Sequence, residues 1–257
     1  MAAERLAGHR TLITGASRGI GAAVARRFAA EGATVVVGHE PREDRAAEAA
    51  AVVADIAAAG GTAHAVAADL SDPGAIADLV TTTADLLGGL DVVVANAAAE
   101  ARVVWHEMTV EEWDRIHHVN LRGTFLLAQR AYPYLQQSQH PSFIGVTSVM
   151  AETGQPGAVH YSASKAGIIG LVRALSREVG AEGIRVNAVM PGAIRTEHEE
   201  QLSPDADRVA ANILPKQALQ RRGYADDLTG AFVFLASADS DFMTGQIVNV
   251  DGGWVLR

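Results

Sequence analysis

The chain has no cysteine. Disulfide bonds, thiolate nucleophiles and thiolate metal sites are therefore excluded. No stretch approaches the ~18–20 uninterrupted apolar residues of a membrane-spanning helix. The opening segment, residues 1–6, lacks the basic stretch and apolar run of a secretory leader. These absences together predict a cytoplasmic protein. Positive charge is scarce: 21 Lys and Arg face 30 Asp and Glu, a net charge of -9. That balance argues against nucleic acid or an anionic membrane as a partner. Nine histidines are scattered without metal-ligand spacing. The adjacent His117 and His118 would diverge on a helix, so no metal site is expected.

What is present is ample apolar material, 49% of 257 residues, enough for the core of one domain spanning 1–257. Strand-like runs fall at 10–14, 34–37, 63–67, 91–95, 143–147, 185–189 and 246–250. Helix-like runs fall between them at 22–31, 43–59, 73–87, 110–137, 160–180 and 226–236. Several strands are continuous Val/Ile runs, as expected when both faces are buried. Gly32, Gly60-Gly61, Gly88-Gly89 and Gly183 stand where helices should stop. The alternation predicts an α/β fold: a doubly wound, mostly seven-stranded parallel sheet with helices on both faces, of Rossmann type. Residues 195–222 break the pattern, being polar with two prolines, and read as a long loop covering a site.

In such a sheet, ligands bind outside the carboxyl ends of the strands. The first of those ends carries Thr14-Gly15-Ala16-Ser17-Arg18-Gly19-Ile20-Gly21, followed by an alanine-rich helix. Glycines allow a tight turn and close backbone approach to a pyrophosphate, and the helix N-terminus offers free N–H groups. Further along, Tyr161 and Lys165 are four residues apart, in the run Tyr161-Ser162-Ala163-Ser164-Lys165. On a helix they share one face. A nearby ammonium would favour the phenolate and lower a pKa that is otherwise about 10, giving a proton carrier near neutral pH. Each signal alone is weak, because turns use glycine anyway and such pairs arise by chance.

Together, the glycine turn and the Tyr161/Lys165 pair resemble the short-chain dehydrogenase/reductase family. The resemblance extends over residues 8–254 through Asp69-Leu70, Asn96-Ala97-Ala98, Asn120, Ser148, Pro191-Gly192 to Thr196, and Val250-Asp251-Gly252-Gly253. It implies hydride transfer between a nicotinamide cofactor and a secondary alcohol or carbonyl carbon. Tyr161 would be the general acid/base, and Lys165 would hold the nicotinamide ribose and keep the tyrosine acidic. Ser148 would be a second donor to the same oxygen, and Asn120 the anchor of a water chain from Lys165. The cofactor would meet Gly15, Ser17, Arg18, Gly19, Ile20 and Gly21 at its phosphates, and His39 and Glu40 near the adenosine ribose. Asp69 would accept from the adenine amino group and Leu70 would supply a backbone contact. Without the resemblance, Asp69 could equally start the helix after Ser71-Asp72-Pro73. Asn96 and Ala97 would line the adenine ribose, and Pro191, Gly192, Ile194 and Thr196 the nicotinamide.

Ala98 departs from the family, which normally has glycine there. The cofactor signals are mixed between NADP(H) and NAD(H). Glu40 should repel a 2′-phosphate, while Arg18, helped by Arg42, should attract one. His39 stands where relatives preferring NAD usually have aspartate, which leans the reading toward NADP(H). Substrate-pocket candidates are Ala99, Glu100, Met150, Gln155, His160, Met190 and the loop with His198, compatible with a small-molecule alcohol or carbonyl. Relatives commonly assemble as tetramers or dimers through the helices at 110–137 and 160–180. The apolar end at 254–257 could pack on a neighbour or on its own subunit. The competing reading is a catalytically silent cofactor-binding scaffold or sensor. Nucleotide-sugar epimerases of this fold resemble longer chains, and enoyl reductases usually separate Tyr and Lys by more residues.

Overall fold

The structure, a computed structural model, describes residues 4–256. Residues 1–3, the start of the segment read for a leader, lie outside the described residues, as does Arg257 of the apolar end.

The sheet is assembled from Val/Ile-rich strands: β1 (Arg10–Ile13), β2 (Thr34–His39), β3 (Thr62–Ala67), β4 (Val92–Ala95), β5 (Ser142–Val146) and β6 (Arg185–Pro191). Two short strands, β7 (Ile194–Arg195) and β8 (Gly223–Tyr224), pair with each other, and β9 (Ile247–Val250) completes the main sheet. The seven-stranded sheet has the order β3-β2-β1-β4-β5-β6-β9, with every pair parallel. The order reverses between β1 and β4, which makes their carboxyl ends the crevice where this architecture binds ligands.

Side-chain alternation along the strands divides the core in two. Ile13, Val35, Val37, Val92 and Val94 pack with α1 (Gly19–Ala30), α2 (Glu43–Ala58) and α10 (Asp226–Ala236). Leu12, Val36, Val93 and Phe143 pack with α3 (Pro73–Leu87), α5 (Gly123–Leu135) and α7 (Val159–Val179). Phe28 of α1 is fully buried in the first cluster, a burial worth about 1.5–3 kcal/mol. That contact fixes the axis along which α1 aims its N-terminus at the crevice.

The helix expected over 110–137 is interrupted. It begins as α4 (Val110–His117), started by a capping box in which Thr109 Oγ1 accepts from Glu112 N and Glu112 Oε2 accepts from Thr109 N. A π-helical turn, His118–Arg122, then separates it from α5. The extra residue turns Asn120 inward, where its side chain bonds both backbone groups of Ala99. Such bulges cost helix regularity and are common at functional sites.

The segment expected as a loop over 195–222 is largely ordered. It holds β7, α8 (Glu197–Leu202) and α9 (Ala206–Ile213), and β8 follows it. Thr196 Oγ1 and Asp205 Oδ1 each accept a backbone N–H as N-caps, and these local signals account for the helices. A short helix, α6 (Met150–Thr153), follows β5 and has no signal in the apolar pattern. Trp254 and Val255 pack on Val149, Ile169 and Met190 of the same chain, so the apolar end has an intramolecular partner. Among the described residues, no helix is long and apolar enough to cross a membrane.

Candidate active site

The glycine turn is held by contacts that leave no room for side chains. Asn96, at the end of β4, donates through Nδ2 to the carbonyls of Thr14 (2.9 Å) and Gly15 (3.0 Å). Thr14 Oγ1 in return accepts from Asn96 N and Ala97 N, both at 3.1 Å. A Cβ at Gly21 would lie 2.6 Å from Asn96 Nδ2 and 2.8 Å from Ala16 Cα, and would press on the Gly15 carbonyl. Gly15 and Gly19 have φ of 62° and 55°, in the left-handed region that favours glycine. No side chain caps the N-terminus of α1, so its first-turn N–H groups face the crevice with the positive end of the helix dipole. This cradle fits the pyrophosphate of a dinucleotide.

A cleft of about 750 Å³ runs from the cradle past His39, Glu40, Asp69 and Leu70 to Asn96, Ala97 and Thr196. His39 is buried, with Nδ1 2.9 Å from the Glu40 carbonyl. Ser17 donates to Glu48 (3.2 Å) and Arg18 to Gln201 of α8 (3.1 Å). Asp69 accepts from Ser71 N, whereas Asp72 accepts from Gly74 N as the N-cap of α3. Starting the helix is thus the work of Asp72, and Asp69 stays on the cleft. Arg42 faces the cleft but is paired with Asp44 at 3.0 Å. Arg45, which the sequence reading missed, lines the same cleft and pairs with Glu48 at 2.7 Å. Its only signal was helical spacing, three residues beyond Arg42.

A second cleft, about 660 Å³, is continuous with the first through Ile20, Asn96, Ala98, Glu100, Thr196 and His198. Ser148, Tyr161, Lys165, Pro191, Gly192 and Ile194 line it. Thr147 Oγ1 donates to the Lys165 carbonyl (2.7 Å), which locks α7 to the end of β5 and brings Tyr161 to Ser148. The Ser148 side chain lies close enough to the phenol to favour its ionised form. Ser164 Oγ donates to the Tyr161 carbonyl (2.7 Å) and accepts from Asn120 Nδ2 (3.1 Å), so the π-turn is tied to the tyrosine's helix. The side chain of Asn120 is engaged by Ala99 and Ser164 and makes no hydrogen bond to Lys165.

The electrostatics differ from the sequence expectation. Burial pushes the Tyr161 phenol well above its ordinary value, the Glu100 carboxylate adds to the rise, and the Ser148 side chain opposes it. Burial pushes Lys165 down to about 8, with Glu100 opposing. The ammonium donates to the Val146 carbonyl (2.8 Å) and lies 5.7 Å from the centre of the Tyr161 ring. Desolvation of the phenol thus outweighs the pull of the nearby ammonium.

Ala98 causes no backbone strain, since every described residue with positive φ is a glycine. Gly192 is required because a Cβ there would lie 2.7 Å from Asp251 Cα. Asp251 in turn accepts from Gly253 N and Val255 N, which gives the terminal Val250–Gly253 motif a structural reason. Of the pocket candidates, Glu100, Met150, Gln155 and His198 line the second cleft and Ala99 the first. Met190 and His160 line neither. Met190 is in the core, and the fully buried His160 accepts through Nδ1 from Tyr161 N.

Residues 15–255 match the protein family described as Enoyl-(Acyl carrier protein) reductase. The chain is 36% identical to a 3-oxoacyl-(acyl-carrier-protein) reductase of Thermotoga maritima over 98% of its own length and 100% of the relative's. It superposes on a short-chain type dehydrogenase/reductase from Mycobacterium marinum with a TM-score of 0.90 at 36% identity, covering 99% of this chain and 98% of that one. A short chain dehydrogenase from Burkholderia cenocepacia, solved in complex with NADP, matches with a TM-score of 0.88 at 35% identity, covering 97% and 99%. With the parallel seven-stranded sheet and a glycine cradle joined to a Tyr–Ser–Lys cleft, these likenesses lead to one conclusion. The chain belongs to the short-chain dehydrogenase/reductase family and is an NAD(P)-dependent oxidoreductase.

Proposed function

We propose that the chain interconverts an alcohol, typically secondary, and a ketone or aldehyde, with Tyr161 as general acid/base. The observation that carries this reading is the shared cleft of Tyr161, Ser148 and Lys165, continuous with the glycine cradle. A bound nicotinamide supplies or accepts the hydride. The raised phenol keeps Tyr161 protonated at neutral pH, ready to give its proton to a carbonyl oxygen. Ser148 offers a second hydroxyl to the same oxygen and steadies the charge that develops there. Lys165 carries a positive charge below about pH 8, in position to favour the tyrosinate left after the transfer. Asn120 holds the loop after β4 and α7 in register, which fixes where Tyr161 stands.

The cofactor favoured is NADP(H). Arg18, Arg42 and Arg45 line the adenosine end of the first cleft against Glu40 and Asp44, and guanidinium groups suit a 2′-phosphate. In this reading residues 1–257 act as one catalytic unit, with 195–222 covering the substrate. The exposed apolar Val110, Trp113 and Phe125 of α4 and α5 support a homo-oligomer. Carbonyl rather than enoyl reduction is favoured by the four-residue spacing of Tyr161 and Lys165 and by Ser148 at the phenol.

Titrations with NADP(H) and NAD(H), followed by a panel of ketones, aldehydes, secondary alcohols and an enoyl thioester, test the proposal. Tighter NADPH binding and turnover of carbonyls but not the enoyl thioester are expected. Cofactor binding without turnover of any carbonyl or alcohol would establish the scaffold reading instead.

A further inference from the structure

Among the described residues, Glu100 is the one carboxylate that lines both clefts, the second of which holds Ser148, Tyr161 and Lys165. It follows β4 by five positions and its side chain is 13% exposed. The Arg102 guanidinium lies 2.8 Å from Oε1. Yet the atom is buried without a hydrogen bond, so that contact is an ion pair out of line for one. Oε2 has His198 Nε2 of α8 3.8 Å away, too far for a hydrogen bond, and Nε2 likewise has none. Oε1 is thus compensated in charge but enclosed, and Oε2, with no donor among the described residues, is the oxygen left to the cleft. A largely buried carboxylate costs free energy unless something donates to it.

Resting on the oxidoreductase reading above, we propose that Glu100 is a specificity-determining residue that accepts a hydrogen bond from a substrate hydroxyl close to the reacting carbon. The preferred substrates are then hydroxy ketones and the diols or polyols they form. A cationic substrate suits the site less well, because Arg102, Arg208 and Lys216 all line the second cleft. A 3-oxoacyl thioester presents only acceptor oxygens near its ketone, and these would meet a carboxylate as like meets like. A neutral hydroxyl needs only an acceptor, and the Arg102 contact already offsets the charge of Glu100.

The test compares kcat/KM for 3-hydroxy-2-butanone and 4-hydroxy-2-butanone with that for 2-butanone, in the wild type and in Glu100→Gln and Glu100→Ala. Taking the ratio within each protein cancels damage common to all substrates, and cofactor titration reports that each variant is folded. The isosteric Gln variant keeps the test informative if the Ala variant fails to fold. The wild type should favour at least one hydroxy ketone by about 10- to 100-fold, as a charge-assisted hydrogen bond allows. The ratio should fall in Gln, which keeps a neutral acceptor, and fall furthest in Ala. An acetoacetyl thioester should be a poorer substrate than the favoured hydroxy ketone and should gain on it in Glu100→Gln. An unchanged ratio in the variants, or a wild-type preference for the thioester, overturns the proposal while leaving the oxidoreductase reading in place. No turnover of any ketone or alcohol with either cofactor overturns both.

Discussion

The two clefts meet at Glu100 and Thr196 but are held together in different ways. The cofactor side is fixed by close contacts onto backbone: the Asn96 side chain grips the carbonyls of Thr14 and Gly15, and Gly21 has no space for a Cβ. The substrate side is roofed by two short, polar helices held by side-chain pairs. Arg222 grips Glu199 at 2.6 Å, Arg195 meets Glu200 at 2.9 Å, and Arg18 reaches Gln201 at 3.1 Å. Close contacts onto backbone cannot adjust, whereas side-chain pairs can be exchanged, and an exposed one such as Arg195 with Glu200 is individually weak. One side is rigid by clearance, and the other is held by contacts that can be exchanged.

On that contrast, one small added side chain on the cofactor side should do more harm than the loss of a whole ion pair on the other. Gly21→Val should weaken NADP(H) binding by on the order of 10²-fold, the cost of overpacking against backbone, as read by cofactor titration. Wild-type affinity in this variant would mean that the cradle is softer than its contacts imply. Arg222→Ala should raise KM for the substrate roughly tenfold through loss of a half-buried charged hydrogen bond. It should change cofactor affinity less, and an equal loss of both would erase the distinction between the clefts.

The smallest effect concerns Lys165, which lines the second cleft. Its buried ammonium titrates at about 8, below the 10.5 of the free side chain. Between those values the unfolded chain binds more protons, so stability rises with pH across that window. Below it, the charged form is destabilising in the folded protein. Lys165→Met should therefore melt a few degrees above the wild type at pH 7 without cofactor. The gap should narrow as pH rises from about 8 to 10.5. A gap independent of pH would place the charge in better-solvated surroundings.

The same contrast explains which parts were legible in the sequence. Gly15, Gly21, Asn96 and Gly192 are dictated by clearances that only those residues meet, so their identities spell out the cofactor side. The Val/Ile strands revealed the sheet because both faces are buried. The break at Asn120 was hidden, because its cause is a contact with Ala99, distant in sequence. The order within 195–222 rests on the caps Thr196 and Asp205 and on pairs such as Glu199 with Arg222, which carry no apolar period. Arg45 looked like a surface charge on α2 until the fold set it against the cleft. The phenol's upward shift comes from burial, which the four-residue spacing of Tyr161 and Lys165 does not report.

The most direct test of the account is Tyr161→Phe, measured in single turnover alongside NADP(H) titration. Removal of the hydroxyl proposed to donate the proton should slow hydride transfer by about 10²–10⁴-fold while cofactor affinity stays within a few-fold of the wild type. Hydride transfer at the wild-type rate in a folded, cofactor-saturated Tyr161→Phe protein would contradict the assignment of Tyr161 as the acid/base.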